Sequence, residues 1–64
     1  MSGEKVELGN LIRRFQRNRE SMDLDSRVML GRRILRLAAT IPGESMSETL
    51  RRNVQDVAGD LEVD

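Results

Sequence analysis

The chain has 64 residues, and its eleven basic and eleven acidic side chains cancel to a net charge of zero. It has no cysteine, histidine, tryptophan or tyrosine, and Phe15 is its one aromatic residue. Disulfides, thiol and imidazole chemistry and a ring-based core are therefore excluded. What remains is one domain at most, near the size at which a single aliphatic core is only marginally stabilising.

The first helix is expected over about 5–20. Leu8, Leu11, Ile12 and Phe15 fall at i, i+3, i+4 and i+7 and share one stripe, with Arg13, Arg14 and Arg17 turned away from it. A short connection through Met22 and Leu24 follows, with Asp25 and Ser26 as N-cap candidates. The second helix is expected over about 26–40. Leu30, Ile34, Leu37 and Ile41 form its stripe, and Val28, Gly31, Leu35 and Ala38 widen it. An apolar arc of that width predicts the most buried helix, contacted on two sides. Gly31 within it predicts either a close helix approach or a merely tolerated glycine, which costs roughly 1 kcal/mol of helix propensity.

Pro42-Gly43 breaks the second helix, with the glycine accepting the turn. Ser45 and Glu48 have capping-box spacing for a third helix over about 46–58. Met46, Leu50, Val54, Val57, Ala58 and Leu61 line its apolar side, and Gly59 is its expected stop. The fold class is all-α: a small three-helix bundle, one domain over 1–64, with a mobile acidic tail disordered over 60–64. No alternating β pattern competes with it. Without a long apolar run or a signal-like segment, the expected location is cytoplasmic, with no membrane association.

Three arginine pairs, Arg13-Arg14, Arg32-Arg33 and Arg51-Arg52, recur nineteen residues apart and suggest three similar helical units. Residues 11–36 hold eight arginines against Glu20, Asp23 and Asp25, a local balance of +5, while residues 44–64 carry −4. Ten of the eleven bases are arginine, which favours planar contacts to carboxylate or phosphate; codon usage in a GC-rich genome gives the same bias. Arg52 has Glu48 and Asp56 one turn to either side, an ordinary exposed ladder. Arg13 and Arg17, and Arg32 and Arg36, are like charges four apart, which destabilise a helix. Three things could offset that repulsion: the chain's own acids (Asp56, Asp60, Glu62 and Asp64), an acidic partner, or phosphates. Self-neutralisation predicts that deleting 60–64 lowers the melting temperature at low salt.

No catalytic, cofactor or metal site is expected, and no small-molecule substrate. The serines lack a base to activate them. Asp23-Leu24-Asp25 lacks the glycine and distal glutamate of a calcium loop. A DNA- or RNA-binding regulator is the alternative reading, with the arginines on phosphates or a helix–turn–helix formed by helices two and three, where Ala39 and Gly43 lie four apart. The pI near 6.2 and the lack of stacking aromatics weigh against it. The favoured expectation is a helical protein-binding module (regulator, adaptor or inhibitor) that forms a homodimer. Its acidic partner meets Arg13, Arg14, Arg17, Arg32, Arg33 and Arg36 as polar contacts and Met29 as an apolar one. Met29 stands among the arginines, outside the apolar arc; packing under helix one or across a dimer seam is the plainer account of it.

Overall fold

The computed structural model describes residues 3–62, and among them the chain is all-α with no strand. Three helices, α1 (Gly3–Asn18), α2 (Leu24–Ala39) and α3 (Glu48–Glu62), are joined by a short link and by a longer one that holds a 3₁₀ turn (Gly43–Ser45). The helix stripes read from period 3.6 make the core. Leu8, Leu11, Ile12 and Phe15 from α1, Ile34 and Ala38 from α2, Ile41 beyond α2, and Val57 from α3 are its buried members. Met22, Met46, Leu30, Leu35, Leu37, Leu50 and Val54 pack partly buried against them. Helix α2 is contacted on two sides, as its wide arc predicts, but it is not the most buried helix: α1 buries Leu8, Leu11, Ile12 and Phe15, whereas α2 buries Ile34 and Ala38 beside Gly31. It packs on both α1 and α3, while the α1–α3 contact is the slimmest of the three.

At Gly31 a side chain of α3 comes against α2. A Cβ built there would meet Leu61 Cδ1 and Cδ2 at 2.9 Å and Cγ at 3.0 Å. Leu61 therefore occupies the notch that the missing side chain leaves. This decides between the two accounts of Gly31 in favour of close approach.

The helix boundaries differ from the expected ones for local reasons. Helix α2 begins two residues earlier than 26, because Asp23 rather than Asp25 or Ser26 is the N-cap. Its Oδ1 accepts from the Ser26 backbone N–H at 3.2 Å. The hydroxyl and then the backbone N–H of Ser26 hold the Asp23 carboxyl below its ordinary pKa, the stabilised anion outweighing slight desolvation. At the other end, Thr40 caps α2 and its hydroxyl donates to the Leu37 carbonyl at 2.7 Å.

After Ile41 the chain does not pass directly into a helix. Ser45 N–H donates to Pro42 O and Met46 N–H to Gly43 O, so proline and glycine nucleate a 3₁₀ turn with no left-handed residue. That turn absorbs Ser45 and leaves Met46 extended. The capping box expected at Ser45–Glu48 is thus displaced: Ser47 Oγ accepts from Leu50 N–H at 3.1 Å, and α3 begins at Glu48 instead of Met46. Lys5 Nζ donates to Ser45 O at 3.1 Å, fastening this connection to the first turns of α1.

Helix α3 also runs past Gly59, the expected stop, to Glu62. The glycine pays only its propensity cost there, while Asp60 and Leu61 gain partners on α2. Asp60 Oδ2 lies 3.7 Å from Arg27 Nε. The start of the expected disordered tail is therefore helical; residues 63–64 lie outside the described residues.

The nineteen-residue arginine interval does not mark three equivalent units. Arg13-Arg14 falls near the end of α1, Arg32-Arg33 in the middle of α2, and Arg51-Arg52 near the start of α3. The helices have similar lengths, but links of different length shift the pairs progressively along them.

Candidate functional site

The candidate arginines and Met29 do not form one continuous patch. At about 100° per residue, Arg14 follows Leu11 on the side of α1 that faces α2, whereas Arg13 follows Gly9 on the side that faces α3. Arg14, Met29 and Arg33 accordingly border a shallow depression of about 350 Å³ between α1 and α2, over Met22, Ser26 and Leu30. Arg33 also borders a second depression along the same helix pair, of about 320 Å³, with Glu7, Leu11, Arg36, Leu37 and Thr40. Together they make one groove, crossed at its middle by Arg33.

The other three candidates stand elsewhere. Arg13 lines a depression between α1 and α3 with Gln16, Leu50 and Asn53. Arg17 lies beside Arg19 and Glu20 at the end of α1. Arg32 is exposed on α2 and borders neither part of the α1–α2 groove. The structure thus brings together Arg14, Met29, Arg33 and Arg36, and separates Arg13, Arg17 and Arg32 from them.

Met29 is 72 % exposed, the most exposed large apolar side chain among the described residues, so it does not pack under α1. The groove floor beside it had gone unassigned as a site. Leu30 and Leu37 share a stripe with Ile34 and read as core from sequence. Both are only partly buried, whereas Ile34 between them is fully buried. The signal was the width of the α2 arc, which exceeds what α1 and α3 can cover.

Charge is neutralised on the opposite side of α2. Among the described residues the ion pairs are Arg27–Asp60 at 3.7 Å and Arg52–Glu48 at 3.5 Å, and none of the six candidate arginines belongs to either. Between the acidic segment and α2 the described ion pair is Arg27–Asp60; the side chain of Glu62 lies outside what is described. Arg27 Nε and Asp60 Oδ2 are both shielded from solvent and lack a hydrogen-bond partner, so their pairing is an ionic contact at the seam between α2 and α3. The Arg52 ladder has one rung, to Glu48, and no contact with Asp56 within ion-pair distance. At the end of α1, Arg19 lies over the Phe15 ring at 5.5 Å, covering the core's one aromatic face.

Helices α2 and α3 do not reproduce the helix–turn–helix geometry. Residues 40–47 separate them, against a turn of about three to four residues in that motif. Among the described residues, no group of three or more acidic side chains converges to hold a metal ion, and no helix is long and apolar enough to cross a membrane. The chain matches no protein-family model, no curated protein and no solved structure, so the geometry of the groove stands alone as the guide to function.

Proposed function

We propose that this chain is a non-enzymatic helical binding module, acting in the cytoplasm as a regulator, adaptor or inhibitor, whose partner is a protein with an acidic surface. One observation carries the reading. Arg14 and Arg33, without an ion-pair partner among the described residues, flank an exposed Met29 above an apolar floor. Arginine and methionine beside partly buried leucines are the composition of a protein interface, with carboxylates on the partner offsetting the repulsion within α1 and α2. The small aliphatic core supports a second element of the proposal, self-association as a homodimer, which sedimentation of the purified chain tests.

The test of the partner is capture from host lysate, with and without nuclease, on wild-type protein and on the Arg33→Glu/Arg36→Glu double variant. The expected result is an acidic protein retained after nuclease treatment and lost with the double variant, whose far-UV circular dichroism is unchanged. Retention by the double variant would overturn the assignment of this groove. A nuclease-sensitive partner whose affinity falls steeply with salt would favour the alternative, a DNA- or RNA-binding regulator using the same arginines on phosphates.

A further inference from the structure

Beyond an acidic surface in general, we infer that the α1–α2 groove takes one amphipathic, acidic helix of another protein, with two apolar side chains seven residues apart and a carboxylate midway between them. The inference rests on the proposed function, since it assigns the shape of the partner at that same groove.

The spacing follows from the two depressions. The first has Met29 and Leu30 in its lining, the second Leu37. Leu30 and Leu37 are seven residues apart on one helix, so the depressions are separated by about 10 Å at 1.5 Å per residue. A helix lying along the groove presents its residues i and i+7 on one face at that same separation, one apolar side chain for each depression. An extended strand of two residues' repeat, rising about 3.3 Å per residue, would also place same-face side chains every ~7 Å, which matches the interval less well.

The charge pattern follows from Arg33. It borders both depressions, so it lies at the level of i+3 or i+4 of the occupant, where a carboxylate would meet it. Arg14 and Arg36 extend the demand for acids to either side, while Glu7 at the far depression disfavours an acid on the α1 side there. A helix with apolar anchors in a groove and charge contacts at its rim is a recurrent recognition mode.

A second copy of this chain fits poorly. On the described helices the exposed large apolar side chains are Val6, Leu24 and Met29, and no two of them stand seven apart on one helix. The Glu48, Arg51, Arg52 and Gln55 surface of α3 has its one acid already paired with Arg52, so it would bring Arg51 and Arg52 against Arg33. The occupant is therefore a different chain, and a homodimer would form through another surface.

The probe is a displayed library of helix-forming peptides with randomised exposed positions, selected on the immobilised full chain. The expected outcome is enrichment of acidic peptides with apolar residues at i and i+7 and Asp or Glu at i+3 or i+4. Their affinity should fall about tenfold or more for Arg33→Glu and stay unchanged for Arg51→Glu, both variants being checked for wild-type helix content. Enrichment of acidic peptides without that register would overturn this inference and leave the acidic-partner proposal standing. Enrichment of peptides without acids, or of none, would overturn both.

Discussion

Replacing Gly31 by alanine tests how α2 and α3 are held together. In isolation the change favours folding, since alanine in a helix interior is more favourable than glycine by roughly 1 kcal/mol. In this fold the added methyl meets Leu61, whose two Cδ atoms lie 2.9 Å and whose Cγ lies 3.0 Å from the position it would take. All three atoms belong to the Leu61 side chain, so either that side chain turns about its first bond or the last turn of α3 shifts to admit the methyl. Overpacking of that kind costs about 1–3 kcal/mol, so Gly31→Ala should be destabilising by ~0–2 kcal/mol. Leu61→Ala removes the obstructing atoms and sacrifices a half-buried leucine, about 1–2 kcal/mol. In that background Gly31→Ala should instead stabilise, recovering up to about 1 kcal/mol. Urea unfolding of the four proteins at 25 °C gives the coupling energy, expected at ~1–3 kcal/mol. Additivity within about 0.5 kcal/mol, or full stabilisation by Gly31→Ala alone, would refute the notch that Leu61 fills.

Arg27→Ala removes a half-exposed contact and opens Asp60 Oδ2 to water, so it should cost no more than about 1 kcal/mol, and Arg27→Met/Asp60→Leu should fall within ~1 kcal/mol of wild type by denaturant melts. Arg52→Ala, at an exposed pair, should change stability by less than about 0.5 kcal/mol. The Asp23 cap predicts a pH dependence. Its folded pKa is lowered from an ordinary 3.8, so its stabilisation is fully present above that value and is lost as pH falls through the lowered one. Thermal melts should show wild type more stable than Asp23→Ala at pH 7, with the gap closing below about pH 4; a gap unchanged at pH 2 would contradict the cap's ionic character. Arg36→Glu should leave the stability of the free protein within about 0.5 kcal/mol of wild type, since losing the Arg32–Arg36 repulsion is offset by placing an acid in the last turn of α2, while weakening partner capture. Loss of capture accompanied by loss of helix content would instead mark Arg36 as structural.

The core was legible because burial follows helical periodicity. Leu8, Leu11, Ile12 and Phe15 have no other face to occupy, and the width of the α2 arc required two neighbours. Periodicity placed Met29 outside the apolar arc but left exposure and packing under α1 as alternatives, and the position of α1 decides for exposure. The caps were not, because several polar residues compete for each helix start. Asp23, Asp25 and Ser26 can all accept a backbone N–H, as can Ser45 and Ser47, and the winner depends on where the preceding turn ends. At Pro42-Gly43 a 3₁₀ turn took up Ser45 and passed the role to Ser47. Nor could local propensity foresee α3 continuing through Gly59, since the contacts that hold it there, to Gly31 and Arg27, come from α2, far earlier in the chain. The candidate site was legible as a list and not as an arrangement. Spacing places Arg13 and Arg14 on the outer face of α1, but only the positions of α2 and α3 decide that one borders the groove and the other does not.

That separation bears on why α2 tolerates its arginines at all. Toward α3 the helix is finished: Leu61 fills the glycine notch, and Asp60 stands against Arg27. Toward α1 it is not, for Leu30 and Leu37 remain partly exposed, Met29 stands free, and no described acid forms an ion pair with Arg33 or Arg36. The two deficits coincide in space, an apolar floor short of cover and a rim short of counter-charge. A helix could relieve either one alone with a single substitution, a polar residue for Met29 or a glutamate for Arg36, at no cost to the core. One acidic amphipathic partner of the kind proposed would relieve both together, whereas either substitution would relieve only one.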